Sequence, residues 1–163
     1  MNRLDEISFF LASWGWISAK RTPLASDAGN RRYERLADQA NGKAVLMDAD
    51  PAMGEDVRPF LKIAAHLTNC GLAAPKIFAQ NAERGLILMQ DFGDGLLFTV
   101  AEKSPGLELS LYHIALAALD QLHKTAPPIA VGKYMADGMA KSAEITLAWY
   151  CSPDLAAAIA AEL

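Results

Sequence analysis

The sequence predicts an α+β fold, a five-stranded antiparallel sheet with one long helix against it, followed by helices only. Three observations point there. Short runs of β-formers recur before residue 91, bounded by Gly, Pro, Asn and Asp. Asn41-Gly42 is a strong hairpin signal between two of them, because both residues accept positive φ. After Gly95 the apolar residues recur at helical spacing almost to the end. Between the two regimes lies Leu86-Ile87-Leu88-Met89-Gln90-Asp91-Phe92-Gly93-Asp94-Gly95. There an apolar strand closes on acids and glycines, and it reads as the connector between a small sheet lobe and a helical lobe.

In chain order, Leu4, Ile7, Leu11 and Trp14 trace one face of a helix over residues 3 to 14, and Gly15 ends it. Ile17 to Leu24 reads as a strand whose Pro23 marks an edge or bend. A small-residue turn, Ser26-Asp27-Ala28-Gly29-Asn30, leads into a second strand, Arg31 to Leu36. Lys43 to Asp48 is the third strand, buried through its middle. A loop over 50 to 55 precedes a helix from Glu55 to Cys70, with Val57, Phe60, Leu61, Ala64 and Leu67 on one face. Glu55 and Asp56 are expected in its first turn, which favours acids, together with Pro59. Gly71 supplies the stop. Lys76 to Gln80 and Leu86 to Gln90 are two further strands, joined by a turn over Asn81 to Gly85. Leu96 to Lys103 makes a short helix. Leu107 to Lys124 makes a long one, apolar nearly all round, of the kind that is central to a bundle. Met139 to Tyr150 and Leu155 to Leu163 read as helices, the latter started by Ser152-Pro153-Asp154.

The 163 residues suit one domain or two small lobes, and 52 % apolar content is ample for a core. No apolar run has the length to span a bilayer. The first residues, Met1 to Glu6, carry acids and lack a signal peptide's apolar segment, so a cytoplasmic protein with reduced thiols is expected. Cys70 and Cys151 form no metal-ligand spacing. A net charge of −4 without a basic stripe argues against a nucleic-acid partner.

Asp27-Ala28-Gly29-Asn30-Arg31-Arg32 is the candidate phosphate site. Small residues admit a phosphate to backbone N–H groups, and an arginine adds a forked cation. A plain hairpin turn is the alternative reading. Adjacent arginines on a strand place one side chain on each face, so at most one meets a ligand. Asp91-Phe92-Gly93 spells the protein-kinase magnesium motif, but no H-R-D type loop lies upstream. An acidic turn after a core strand and an interlobe connector are the other readings. His66, His113 and His123 read as structural or solvated, and Glu34 and Asp48 as surface charges. Trp14, Trp16, Trp149 and Tyr150 read as packing residues. Met89 and Phe92 could press on a flat ring, although packing is their commoner work.

Taken together, these residues resemble the aminoglycoside phosphotransferase-like kinases, whose fold is related to protein kinases. Within them the chain is most similar to the sugar kinases that phosphorylate the anomeric hydroxyl of N-acetylmuramate and N-acetylglucosamine in cell-wall recycling. The resemblance is carried by Phe10 to Trp16, Leu24 to Tyr33, Ala44 to Ala49, Glu55 to Leu61 and Leu88 to Asp94. It continues weakly through Leu122-His123 and Leu147 to Tyr150. It implies a protein-kinase-like N-terminal lobe over residues 1–91 and the helical start of a C-terminal lobe over 92–163. It also implies an ATP site with magnesium in the full-length family. Ser26, Asp27, Ala28, Gly29, Asn30, Arg31 and Arg32 would cover the phosphates, and Met89, Gln90 and Asp91 would present backbone groups to adenine. Met47 stands where a phosphate-pairing Lys is found in the family, and Arg31 or Arg32 would replace its charge. The family's H-G-D type catalytic loop and second metal-binding Asp are not in this sequence. The chain is therefore expected to be an N-terminal half, inactive alone, with no catalytic or metal-ligating residue assigned and an apolar surface over 104–163 prone to self-association. A non-catalytic nucleotide-binding or interaction domain is the alternative.

Overall fold

The computed structural model describes residues 2–25, 29–127 and 135–142. The chain divides into two units, Met1–Ala126 and Pro127–Leu163. In the second, residues 136–142 are helical. The expected helices over Met139 to Tyr150 and Leu155 to Leu163 lie largely or wholly outside the described residues.

The first unit opens with helix α1 (Arg3–Ser13). Asn2 caps it reciprocally, its side chain accepting from the Asp5 N–H at 2.9 Å while the Asp5 carboxylate accepts from the Asn2 N–H at 3.1 Å. At the far end Gly15 takes φ 77°, and the N–H of Trp16 reaches the carbonyl of Leu11 at 2.8 Å. That stop turns Trp16 into the core. The buried face of α1 is Ile7, Phe10 and Leu11, whereas Leu4 and Trp14, expected on that face, are exposed. The face is rotated because Arg3, not Leu4, occupies the inward position one turn before Ile7, where it meets a carboxylate of the sheet.

Strands β1 (Lys20–Pro23), β2 (Arg32–Asp38) and β3 (Gly42–Asp48) form an antiparallel meander. The β2–β3 turn pairs Asp38 with Gly42 and so encloses residues 39 to 41, one residue more than a tight Asn-Gly turn. Only Gly42 takes positive φ, at 80°, and Asp38 Oδ1 accepts from the N–H groups of Ala40 and Asn41. The Asp side chain thus sets the turn, and Asn41 stays at negative φ.

Helix α2 (Arg58–Asn69) starts later than expected. Pro59 sits in its first turn, but Glu55 and Asp56 precede it. Asp56 folds back to accept the Arg58 N–H at 2.9 Å, which holds its carboxyl below the usual range, and Glu55 is drawn to Arg31. Gly71, at φ 76°, closes α2 with Leu72 N–H to Leu67 C=O at 2.9 Å. Strands β4 (Ile77–Asn81) and β5 (Leu86–Gln90) follow as a hairpin.

The sheet order is β1-β2-β3-β5-β4, antiparallel throughout. The last hairpin therefore joins through β5, and β3 and β5 are central, covered on both faces. Leu36, Ala44, Leu46, Leu86 and Leu88 pack with Ile7, Phe10, Leu11 and Trp16 of the α1 side. Val45, Met47, Ala49, Ile87 and Met89 pack with Val57, and Tyr33, Phe60, Leu61 and Ile77 lie against them. Each fully buried aliphatic side chain contributes about 1.5–3 kcal/mol.

Helices α3 (Leu97–Lys103) and α4 (Glu108–His123) follow the connector. Neither buries a residue fully; Leu109 of α4 is 72 % exposed and Ile114 64 %. A side-chain bond from Gln121 Nε2 to the Cys70 carbonyl, 3.1 Å, ties α4 to the end of α2. No helix among the described residues is long and apolar enough to cross a membrane.

Candidate functional site

The odd-numbered residues of β2, β3 and β5 project onto the face away from α1, as the alternation of a strand requires. In register across the three strands, Arg35 lies opposite Val45, which lies opposite Met89, and Tyr33 lies opposite Met47, which lies opposite Ile87. At one end of this face, just before β2, stands Arg31. At the other, just after β5, stands Asp91. The face is thus an apolar floor with a cation at one end and an acidic connector at the other.

Gly29, Asn30, Arg31 and Arg32 are described; Ser26, Asp27 and Ala28 lie outside the described residues. The described part of the loop is tied to the segment ahead of α2. Asn30 Nδ2 donates to the Met53 carbonyl at 3.3 Å, and Arg31 Nε donates to Glu55 Oε2 at 2.7 Å. The Glu55 carboxylate, and after it Tyr33, holds the Arg31 guanidinium above its ordinary pKa. Arg32 points the other way, with Nη2 2.9 Å from Asp48 Oδ2. The two arginines therefore occupy opposite faces, and each already holds a carboxylate.

Asp48, expected as a surface charge, is buried at 5 % exposure. It ends β3 on the α1 side, where Arg3 Nε donates to its Oδ1 at 2.9 Å and Arg32 takes the other oxygen. Burial lowers the affinity of Arg3 for its proton, but hydrogen bonds to Asp48 and Glu6 outweigh it and the guanidinium stays above its ordinary pKa. Glu34 is half-buried and pairs with Arg21 across β1 and β2.

Met47 is fully buried and Met89 nearly so, both within the apolar cluster of this face. The backbone N–H of Gln90 donates to the Lys76 carbonyl at 2.9 Å, and its side-chain oxygen accepts from the Lys76 N–H at 3.3 Å. Phe92 is exposed. The Asp91 carboxylate is 5 % exposed and faces Arg35, with Nε at 2.8 Å from Oδ2 and Nη2 at 3.2 Å from Oδ1. The shorter contact is an ion pair off the hydrogen-bond line, and the longer one is the aligned bond. Gly93 N–H also donates to Asp91 Oδ1, at 2.8 Å.

This donor set fits a nucleoside triphosphate better than it fits a metal. The floor is packed against the α2 segment at Met47 and Ile87, so a base would meet it only at the less covered Val45 and Met89 rim. Arg31, held by Glu55, carries donors of the kind phosphate oxygens accept from. The Asp91 carboxylate is engaged by Arg35 and the Gly93 amide, and among the described residues no three His, Cys, Asp or Glu side chains gather as metal ligands. Magnesium therefore does not fit at Asp91-Phe92-Gly93. An open apolar groove of about 570 Å³ lies elsewhere, between α3 and α4, lined by Leu97, Phe98, Leu111 and Tyr112 among others. Its charged lining residues are Glu102 and Glu108, and no cation lines it, which separates it from phosphate chemistry.

A family model described as the phosphotransferase enzyme family, APH, matches residues 20–162. The chain belongs to the phosphotransferase enzyme family. The match starts at β1 and takes in the whole sheet and the helices after it, so the α+β expectation and the resemblance carried by the sequence motifs both stand. Among curated relatives, the chain is similar to an N-acetylmuramate/N-acetylglucosamine kinase of Pseudomonas aeruginosa, 38 % identical over 117 residues, which cover 71 % of this chain and 33 % of that protein. Kinases of the same name from Pseudomonas putida and Caulobacter vibrioides are 30 % and 28 % identical over 146 and 145 residues, or 41 % and 39 % of their lengths. The chain thus spans about two fifths or less of the curated relatives it matches.

Sequence reasoning named Arg31, Arg32, Met47, Met89 and Asp91 as nucleotide contacts without dividing them between faces; the strand register puts Arg31, Met47, Met89 and Asp91 on one side of the sheet and Arg32 on the other. Sequence reasoning missed Glu55 as the partner of Arg31 and Arg35 as the partner of Asp91. No spacing signals either pair, since both partners come together only through the strand order and the path into α2.

Proposed function

We propose that this chain carries the nucleotide-binding lobe of an ATP-dependent small-molecule kinase whose acceptor is a hydroxyl of an amino sugar, of the kind handled in cell-wall recycling. The reading rests on one observation above others: the phosphotransferase family match covers a sheet whose face away from α1 carries Arg31 at one end and the strand-to-connector junction at the other. Residues 1–91 form the nucleotide lobe, and 92–163 the helical start of the second. In the reaction, the terminal phosphoryl group of ATP passes to the sugar oxygen, which gives up its proton, and ADP leaves. Magnesium belongs to the full-length family, where it would offset the charge of the nucleotide's phosphates.

In this reading the chain's own residues divide the nucleotide between them. Residues Ser26 to Arg32 approach the phosphates with backbone N–H groups. Arg31 adds the permanent charge, which Met47 cannot, and Glu55 orients it. The base meets backbone groups at Met89 to Asp91. The Gln90 N–H is held by the Lys76 carbonyl and so is not among the groups left for the base. The polypeptide alone transfers no phosphate, for want of an H-G-D type loop in its sequence. It works in the cytoplasm on nucleotide and sugar, without nucleic acid or membrane.

The engagement of Arg31, Arg32 and Asp91 by opposite charges favours a second reading, a non-catalytic nucleotide-binding or interaction domain. Calorimetry separates the outcomes. ATP is expected to bind wild type weakly and Arg32→Ala equally well. Charge-assisted bonds contribute about 1.5–3 kcal/mol each, so Arg31→Ala is expected to bind roughly tenfold to a hundredfold more weakly. Equal binding by all three proteins would remove the phosphate-loop assignment. Turnover of N-acetylmuramate by the purified chain at ordinary kinase rates would refute its inactivity.

A further inference from the structure

Arg35 does something that neither the family match nor the sequence motifs assign. Its side chain leaves β2, passes over Val45 of β3 and ends on the connector beyond β5. The backbone path it spans is two strand spacings, about 9–10 Å. There its fork takes two carboxylates at once. Nη1 and Nη2 donate to the two oxygens of Asp94 at 3.0 and 2.9 Å, and Nη2 also donates to Asp91 Oδ1 at 3.2 Å. Asp91 in turn holds the Gly93 N–H, and Gly93 takes φ 74°, so the turn 91–94 is pinned at three points. This is a bidentate geometry that a lysine cannot reproduce. The row it crosses, Arg35–Val45–Met89, is also the row beside which the base contacts are expected.

We propose that Arg35 is a positioning residue of the nucleotide site: by clamping Asp91 and Asp94 it fixes the backbone after Gln90 in the orientation that reads the base. The inference rests on the nucleotide reading above. It makes base recognition, and not phosphate recognition, depend on an arginine of β2. The Asp94 carboxyl, held below its usual range by the Arg35 hydrogen bonds, is consistent with a clamp that is closed at neutral pH.

The test compares ATP with inorganic tripolyphosphate, which lacks the base, on the whole chain, with amide exchange over residues 92–96 as a second readout. Arg35→Met is expected to weaken ATP binding about tenfold or more, to leave tripolyphosphate binding unchanged and to speed exchange in the connector. Arg21→Met, which breaks a comparable cross-strand pair with Glu34, is expected to change none of these. Should Arg35→Met fail to fold, Asp94→Asn removes one arm of the clamp from an exposed carboxylate and is expected to move ATP affinity and exchange in the same direction, by less. Unchanged ATP affinity in both variants overturns the proposal. So does an equal loss for ATP and tripolyphosphate, which would mark a purely structural role, or unaltered exchange. A wild-type chain that binds no ATP removes the nucleotide reading and this role with it, a failure visible in the wild-type titration alone.

Discussion

Replacing Asp48 by Ala leaves Arg3, which is largely covered by α1 and the sheet, without its main partner. A broken buried pair costs about 3 kcal/mol, so Asp48→Ala is expected to lower the urea midpoint markedly, whereas Arg32→Ala, on the exposed side of the same carboxylate, is expected to cost less than about 1 kcal/mol. Met47→Ala is expected to cost about 2–5 kcal/mol by opening a cavity in the α2-side cluster. Chemical unfolding of the three variants checks both statements. These residues also mark what could be read in advance. Met47 and the opposite orientations of Arg31 and Arg32 follow from strand alternation, which sequence carries. The burial of Asp48 does not, because it depends on Arg3 arriving from α1, 45 residues away in the chain. The same holds for the Arg35 clamp: Asp91 is 56 residues from it, and only the insertion of β5 beside β3 brings them together.

At the scale of elements, the five strands and α1 to α4 were legible from apolar periodicity and from stops at Gly15 and Gly71. Element edges were less so where side chains compete for backbone groups. Asp38 reshaped the Asn41-Gly42 turn, and Asp56 delayed α2. Gly85 shows how tightly one turn is set. It takes φ 62°, and a Cβ there would sit 1.8 Å from the Ala49 carbonyl oxygen. Gly85→Ala is therefore expected to destabilise by well over about 1 kcal/mol and to weaken the tie between the β4–β5 turn and the end of β3, measured by thermal unfolding. The connector has its own pH dependence. Asp94 has its folded pKa depressed by Arg35, so its contribution is fully present above the unfolded carboxylate value, near about 4, and is lost as pH falls through the lower folded value. The Gly93 amide resonance is expected to stay constant from neutral pH down to that range and to shift only below it. A transition near neutral pH would contradict the clamp.

For the molecule as a whole, the strand order β1-β2-β3-β5-β4 was not readable from sequence alone, since nothing local decides that the second hairpin joins through β5. Family membership rests on the extent of the match, whereas the site rests on the shared face. The exposed apolar residues of α4 lead to another expectation, self-association that rises with protein concentration and is reduced by Ile114→Lys or Leu116→Lys, measured by sedimentation. The claim on which everything else depends is that the sheet face away from α1 binds a nucleotide. An amide-resonance titration of the chain with ATP tests it most directly. Shifts concentrated at residues 29–33 and 89–94, saturating at millimolar ATP, are the expected result. Shifts confined to the groove between α3 and α4, or none at all, would contradict it.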